Sequence, residues 1–179
     1  PYIYSEYMKA ALHDGMYCMP LAFAFPEDDF ARRVEDEVMI GESLLIAPVY
    51  EQNARGRYVY LPEEMLQVRV KCSESNRMET SVLPAGHHYI PVELDEVVFF
   101  VRKGHLLPLA KDGKKIQSVA DVDFADLRLL AYAPDGASYE YYTDDGETKD
   151  YDKPEHFVQI TLDADGNAKS DRATVKVEG

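Results

Sequence analysis

Two acidic stretches are the first places in this chain where residue type and spacing could do chemistry. Asp144 to Asp152 reads DDGETKDYD and holds five carboxylates. Asp163 to Asp171 reads DADGNAKSD and spaces Asp163, Asp165, Asn167 and Asp171 in the manner of oxygen ligands around a calcium ion. An EF-hand loop needs glycine at its sixth position and a bidentate glutamate at its twelfth. Counted from Asp163, Gly166 stands fourth and Thr174 twelfth, so the register is wrong. Asp-Gly also makes tight turns, because both residues tolerate positive φ. Turn chemistry is therefore the preferred reading of both stretches, with calcium as the alternative.

The other reactive types give less. His87 and His88 precede a strand-like YIPVEL; neighbours in a strand point to opposite faces, so the pair cannot easily hold one metal. His13 and His105 have no partner at metal spacing. There is no GxSxG elbow, no P-loop and no dinucleotide GxGxxG. Tyr139, Tyr141, Tyr142 and Tyr151 could present ring faces to a sugar, although tyrosines along a strand ordinarily pack across strands and sheets. With 33 acidic residues, chance pairs of carboxylates are inevitable and prove nothing alone. No residue is assigned a catalytic, cofactor-binding or metal-ligating role, and no cofactor is expected.

Composition narrows the partners. The chain has 179 residues, 19 basic against 33 acidic, and a net charge of −14. Such a surface repels phosphate backbones and anionic membranes, so neither nucleic acid nor membrane is expected as a partner. Neutral sugars are compatible with this charge. Cys18 and Cys72 are too few for a disulfide framework and form no CxxC, which favours a reducing compartment or simple indifference to redox; the expected location is cytoplasmic. No apolar run has the length of a membrane span.

The elements that would position these residues are mostly strands. PYIYSEYMKAALHDG reads as a helix, with Pro1 in its first turn and Gly15 as its stop. Ser5, Glu6, Lys9 and His13 form one polar stripe; Tyr2, Ile3, Tyr4, Tyr7, Met8, Ala11 and Leu12 cover the rest. A helix apolar over so much of its circumference expects neighbours on more than one side, either within this domain or on a body outside it. The sequence opens at Pro1, inside this helical pattern and without an initiator methionine, as expected of a piece of a longer polypeptide. MPLAFAF, SLLIAPV, RYVYLP, LQVRVKC, HHYIPVEL and VVFFVRKG then follow as short strands, with a helical turn in ARRVEDEVMIG. VVFFV is apolar on both faces and predicts a central strand under a second layer. KDGKKIQSVADVDFAD breaks the rhythm, and LRLLAYAP, SYEYYTDDG, HFVQITL and the terminal segment give a second, smaller set of strands, two of them turning at Asp165-Gly166. The expected fold is mainly β: two antiparallel β-sandwiches behind an N-terminal helix.

DEVMIGESLLIAPVYEQNARGRYVYLP, from Asp36 to Pro62, resembles a segment of glycoside hydrolase family 31, the family of α-glucosidases and α-xylosidases, in which an "FMLGxxLLVAPV" strand, a loop and "xxVYLP" follow the catalytic barrel. DEVVFFVRKGHLLPL, from Asp95 to Leu109, resembles the family's "DxIPLFVRxGxILP", and SYEYYTDDGETKDYDK its distal "LYEDDGETxDYxxG". PYIYSEYMKAAL is similar to the last helix of the family's (β/α)8 barrel. The matches stand in the family's order. Departures are LQVRVKC, where a strand with Trp-Tyr is usual, and Val98 and Phe99 in place of Pro and Leu.

The resemblance implies residues 1–15 as the last barrel helix, 16–110 as the proximal C-terminal β-sandwich and 111–179 as the distal one. It implies a parent that is a retaining α-glycosidase, α-glucosidase-like or alternatively an α-xylosidase, working through two carboxyl groups about 5–5.5 Å apart. In the family both are barrel aspartates, one in a "DMNE"-like motif that this sequence lacks, so no such role passes to Asp36, Asp144 or any other residue. The implied partner is the catalytic barrel of the same polypeptide, with oligosaccharide as substrate only of the full-length enzyme and homo-oligomer formation allowed. A stand-alone carbohydrate-binding sandwich is the alternative from another class.

Overall fold

The structure, a computed structural model, describes residues 1–74, 77–111, 116, 118, 121–170 and 174–177. It is mostly antiparallel sheet and divides into two compact units, Cys18–Lys103 and Pro1–Tyr17 together with Gly104–Gly179.

In the first unit, strands β1 (Cys18–Pro20), β2 (Val38–Ile40), β3 (Leu44–Ile46), β5 (Met65–Lys71), β6 (Arg77–Leu83) and β8 (Glu96–Arg102) form one antiparallel sheet in the order β1-β2-β3-β8-β5-β6. β4 (Gly56–Leu61) and β7 (Gly86–Pro91) form a separate antiparallel ribbon. Met39, Leu45, Met65 and Phe100 from the large sheet meet Val59, Leu61 and Ile90 from the ribbon in one buried cluster. β8 is interior to its sheet, and both Phe100 and Val101 on successive faces are buried, as the VVFFV run predicts. β3 and β4, adjacent in sequence, pair into different sheets, so GESLLIAPVYEQNARGRYVYLP is a crossing between the layers and not a hairpin.

MPLAFAF departs from its expected form. Only Cys18–Pro20 is strand; Leu21–Ala24 turns into a short helix, α2, that buries Leu21 completely. Pro20, at φ −53° and ψ 148°, ends the strand and leads into this turn. The expected helical turn in ARRVEDEVMIG is a 3-10 turn over Ala31–Arg33, after which Val38–Ile40 becomes strand.

In the second unit β9 (His105–Ala110) pairs antiparallel with β10 (Asp126–Tyr132), and β14 (Thr174–Val177) lies on the other side of β10, parallel to it. β11 (Ala137–Tyr142), β12 (Phe157–Leu162) and β13 (Ala168–Ser170) make a second antiparallel sheet. Leu106, Leu107, Leu127, Leu129, Val158 and Ile160 are buried. Because its partner is β10, β9 groups with the later strands, and the units part at Gly104.

Helix α1 (Tyr2–Leu12) packs on β11 and β9 of this unit. The contact is made by the polar stripe together with the rings of Tyr2 and Tyr4, which stand against Tyr139 and Tyr142. Ser5 is fully buried: its Oγ lies 3.1 Å from both the N–H and the carbonyl oxygen of Tyr142. Glu6 accepts a 2.6 Å hydrogen bond from the Tyr139 hydroxyl and pairs with Lys9, whose ammonium stands 4.2 Å over the Tyr139 ring. Ile3 and Tyr7, on the apolar face, are exposed.

Candidate functional site

The acidic stretches are closed by their own chain. Tyr4 and Tyr142 hydroxyls both lie 2.9 Å from Asp144, which also accepts from the Gly146 N–H at 3.0 Å. Asp145 accepts from the N–H groups of Glu147 and Thr148, and these hold its carboxyl below the usual range. Asp150 pairs with Lys153 at 2.6 Å. In the turn between β12 and β13, Asp163 accepts from the N–H groups of Asp165 and Asn167 and from the Asn167 amide, again lowering its pKa, while Gly166 takes φ 83°. This is Asx-turn chemistry. Asp171 lies outside the described residues. Among the described residues no three His, Cys, Asp or Glu side chains converge as a metal site would require.

Three of the four tyrosines weighed as a sugar platform are packed, the ordinary reading of tyrosines along a strand. Tyr139, Tyr141 and Tyr142 are buried, and only Tyr151 is exposed. Burial first, then the charge of Glu6, pushes the Tyr139 hydroxyl far up; burial takes Tyr141 to about 12. Tyr139 and Tyr142 lie against α1, and the Tyr141 hydroxyl reaches the Phe124 carbonyl at 3.4 Å. His88 turns inward and its Nε2 lies 2.8 Å from the Pro84 carbonyl, whereas His87 turns outward, the division expected of neighbours in a strand. His13 stands beside Phe157, and His105 lies in β9.

The outer face of the β4–β7 ribbon carries a cluster of accessible aromatic rings. Register places Tyr58 opposite Tyr89 and Tyr60 opposite His87. The Tyr58 and Tyr89 rings meet edge-on with centroids 5.2 Å apart, and they are 72% and 53% exposed. Tyr60 and His87 are 4.9 Å apart, with the exposed Phe30 within 5.7 Å of each. The Tyr60 hydroxyl donates to Asp28 at 2.7 Å; burial and this bond raise it to about 12, and the same bond holds Asp28 below the usual range. Arg57 pins the border: Nη2 reaches Asp36 at 2.6 Å, and Nη1 donates to the Asp36 and Pro48 carbonyls. Tyr50, also exposed, touches Asp36 through its hydroxyl at 3.3 Å.

Two open depressions flank Tyr58. One, of about 580 Å³, is bordered by Arg33, Glu35, Glu37, Tyr60 and His87; the other, of about 450 Å³, by Glu51, Arg55, Arg57 and Tyr89; Asp36, Tyr50 and Tyr58 line both. Glu37 is 5% exposed. Its Oε1 accepts from the Tyr60 N–H at 2.7 Å and its Oε2 has no hydrogen-bond partner. Burial pushes its pKa up to about 7 against the opposing Tyr60 bond and Arg57 charge. Sequence reasoning missed this face because its rings come from strands about thirty residues apart, and only the register joins them. The signals were the alternations in RYVYLP and HHYIP.

Comparison with known proteins fits this architecture. The family model described as "Glycosyl hydrolase family 31 C-terminal domain" matches residues 15–107, just over half of the chain. Alpha-glucosidase 2 of Bacillus thermoamyloliquefaciens is 24% identical over 180 residues, covering 100% of this chain and 22% of that protein. An alpha-xylosidase of Saccharolobus solfataricus is 30% identical over 168 residues, covering 92% of this chain and 22% of that protein. The chain thus spans about a fifth of the length of these relatives. The solved GH31 alpha-xylosidase of Xanthomonas citri shares the fold with a TM-score of 0.68 at 21% identity, over 98% of this chain and 19% of that one. The matched segment coincides with the unit that holds the ribbon and its sandwich partner, and the chain belongs to glycosyl hydrolase family 31 through its C-terminal domain.

Proposed function

We propose that this chain is the non-catalytic C-terminal part of a retaining α-glycosidase and that it supports the catalytic barrel of the same polypeptide. The observation that carries the reading is the alignment of the whole chain with α-glycosidases of which it covers only about a fifth. The acidic stretches favour it as well, since Asp144 receives the Tyr4 hydroxyl of α1 and Asp145 and Asp163 close their own turns. The unit Cys18–Lys103 is then the proximal sandwich, and the strands after Gly104 are the distal one. The exposed Ile3 and Tyr7 of α1 are the natural seat for the barrel, a surface that becomes buried in the longer protein. Two free, exposed cysteines favour the cytoplasm.

Purified chain should turn over neither an aryl α-glucoside nor isomaltose, whereas a chain extended upstream through the barrel should cleave them with retention of configuration. Activity of the short chain that survives rigorous repurification overturns the proposal. An α-xylosidase parent is the second reading, favoured by the 30% identity to the Saccharolobus solfataricus enzyme. An aryl α-xyloside assayed beside the glucoside distinguishes the two.

A further inference from the structure

We infer that the outer face of the β4–β7 ribbon, centred on Tyr58 and Tyr89, is a surface binding site for a neutral oligosaccharide. Tyr58 and Tyr89 present exposed ring surface, and neither hydroxyl has a hydrogen-bond partner among the described residues, so both are available to a ligand. Ring faces pack against the apolar C–H faces of a pyranose, while hydroxyls and carboxylates around them exchange hydrogen bonds with its rim. That second requirement is met on both sides of Tyr58: Asp36 borders each depression, with Glu35, Arg33 and the buried Glu37 on one side and Glu51 and Arg55 on the other. Glu37 is buried behind the wall of the first depression, where its Oε1 holds the Tyr60 N–H.

The face is also held in advance. Tyr60 is fixed by Asp28, Tyr58 by its contact with Tyr89, and the Asp36 border by Arg57, so little ordering accompanies binding. Charge selects the ligand class. Glu35, Asp36, Glu37 and Glu51 line the site against Arg33, Arg55 and Arg57, a near balance that suits a neutral ligand, and the net charge of −14 on the whole chain disfavours polyanions. A protein partner fits less well, because charged Asp and Glu are interleaved with the rings, and such residues are depleted from the cores of protein interfaces. The choice of α-linked glucose polymers as probes rests on the proposed function; the site itself does not.

The test is a titration of this chain with maltotetraose and isomaltotetraose, followed by amide chemical shifts and calorimetry, with cellotetraose as the β-linked comparison. We expect saturable binding of at least one α-linked tetrasaccharide, with shifts confined to residues around Tyr58 and Tyr89. Tyr58→Ala and Tyr89→Ala should each weaken it about tenfold or more, while Tyr58→Phe retains most of it. Both alanine variants lie on the solvent side and should melt like the parent chain. Absence of saturable binding at tens of millimolar sugar overturns the inference, as does binding untouched by either alanine. A face that instead mediates association of two copies, read as a dimer broken by Tyr58→Ala, also overturns it. Hydrolysis by the longer enzyme is untouched by each of these outcomes, so the two readings fail separately.

Discussion

A carboxyl group enclosed between the ribbon and the segment before β2 has to choose between its proton and the protein's stability. Glu37 is in that position. Burial disfavours ionisation, with Asp36 acting in the same direction, and it outweighs the Tyr60 N–H bond and Arg57 Nη2, 3.9 Å from Oε1, pushing the pKa from its ordinary 4.5 to about 7. Between those values the folded chain holds a proton that the unfolded chain releases. The stabilisation is therefore fully present below pH 4.5 and is lost as pH rises through about 7. Glu37→Gln keeps an oxygen for the Tyr60 N–H and removes the titration. Urea unfolding at a series of pH values should show the parent chain losing about 2–3 kcal/mol relative to the variant between pH 4.5 and 8. A constant difference across that range would show that Glu37 ionises as readily in the fold as outside it.

At the scale of elements, α1 docks through a mixed face, burying Ser5 and Glu6 beside Tyr2. Ser5 bonds both main-chain groups of Tyr142 and is fully buried, while Ile3 is 60% exposed. Ser5→Ala leaves those bonds unmade in a dry contact and should cost about 1–3 kcal/mol. Ile3→Ala should change stability by less than about 0.5 kcal/mol. Thermal unfolding of the two variants checks this, and a larger loss from Ile3→Ala would sink the assignment of the docking face. The helix itself was legible in the sequence from Pro1, Gly15 and its periodicity. Its orientation was not, because the face that packs mixes the polar stripe with Tyr2 and finds its partners on β11, far along the chain. Strands with alternation or a continuous apolar run, such as β4, β5 and β8, were legible too. β6 was not, since most of its residues are exposed at the sheet edge and carry no alternation. β9 was hidden by Pro108, which its own edge position tolerates. Pairing is likewise what concealed the ribbon's aromatic face: Tyr58 and Tyr89 are unremarkable until they stand opposite one another.

For the whole molecule, the acid–base balance sets where the fold is most stable. At neutral pH the net charge of −14 repels itself, and that repulsion fades as pH approaches the isoelectric point near 4.7. Glu37 adds to the same trend, since its protonated form suits the fold. The opposing groups act further down the scale. Asp28 is held low by the Tyr60 hydroxyl, Asp95 by Ser73, Glu96 by the Glu93 N–H and Arg69, and Asp145 and Asp163 by the N–H groups of their turns. A depressed folded pKa gives stability that is present above the unfolded value and lost as pH falls through the folded one, so these five weaken the fold only below about pH 4. The melting temperature should therefore peak near about pH 5, fall toward pH 8 and fall again toward pH 3. Salt at about 1 M, where screening acts within about 3 Å, should flatten the neutral limb for the surface charges but leave the buried Glu37 contribution in place. Calorimetric scans from pH 3 to 8 at low and high salt decide it. A melting temperature that climbs steadily from pH 5 to 8 would mean that paired carboxylates, and not self-repulsion with Glu37, govern the stability of this chain.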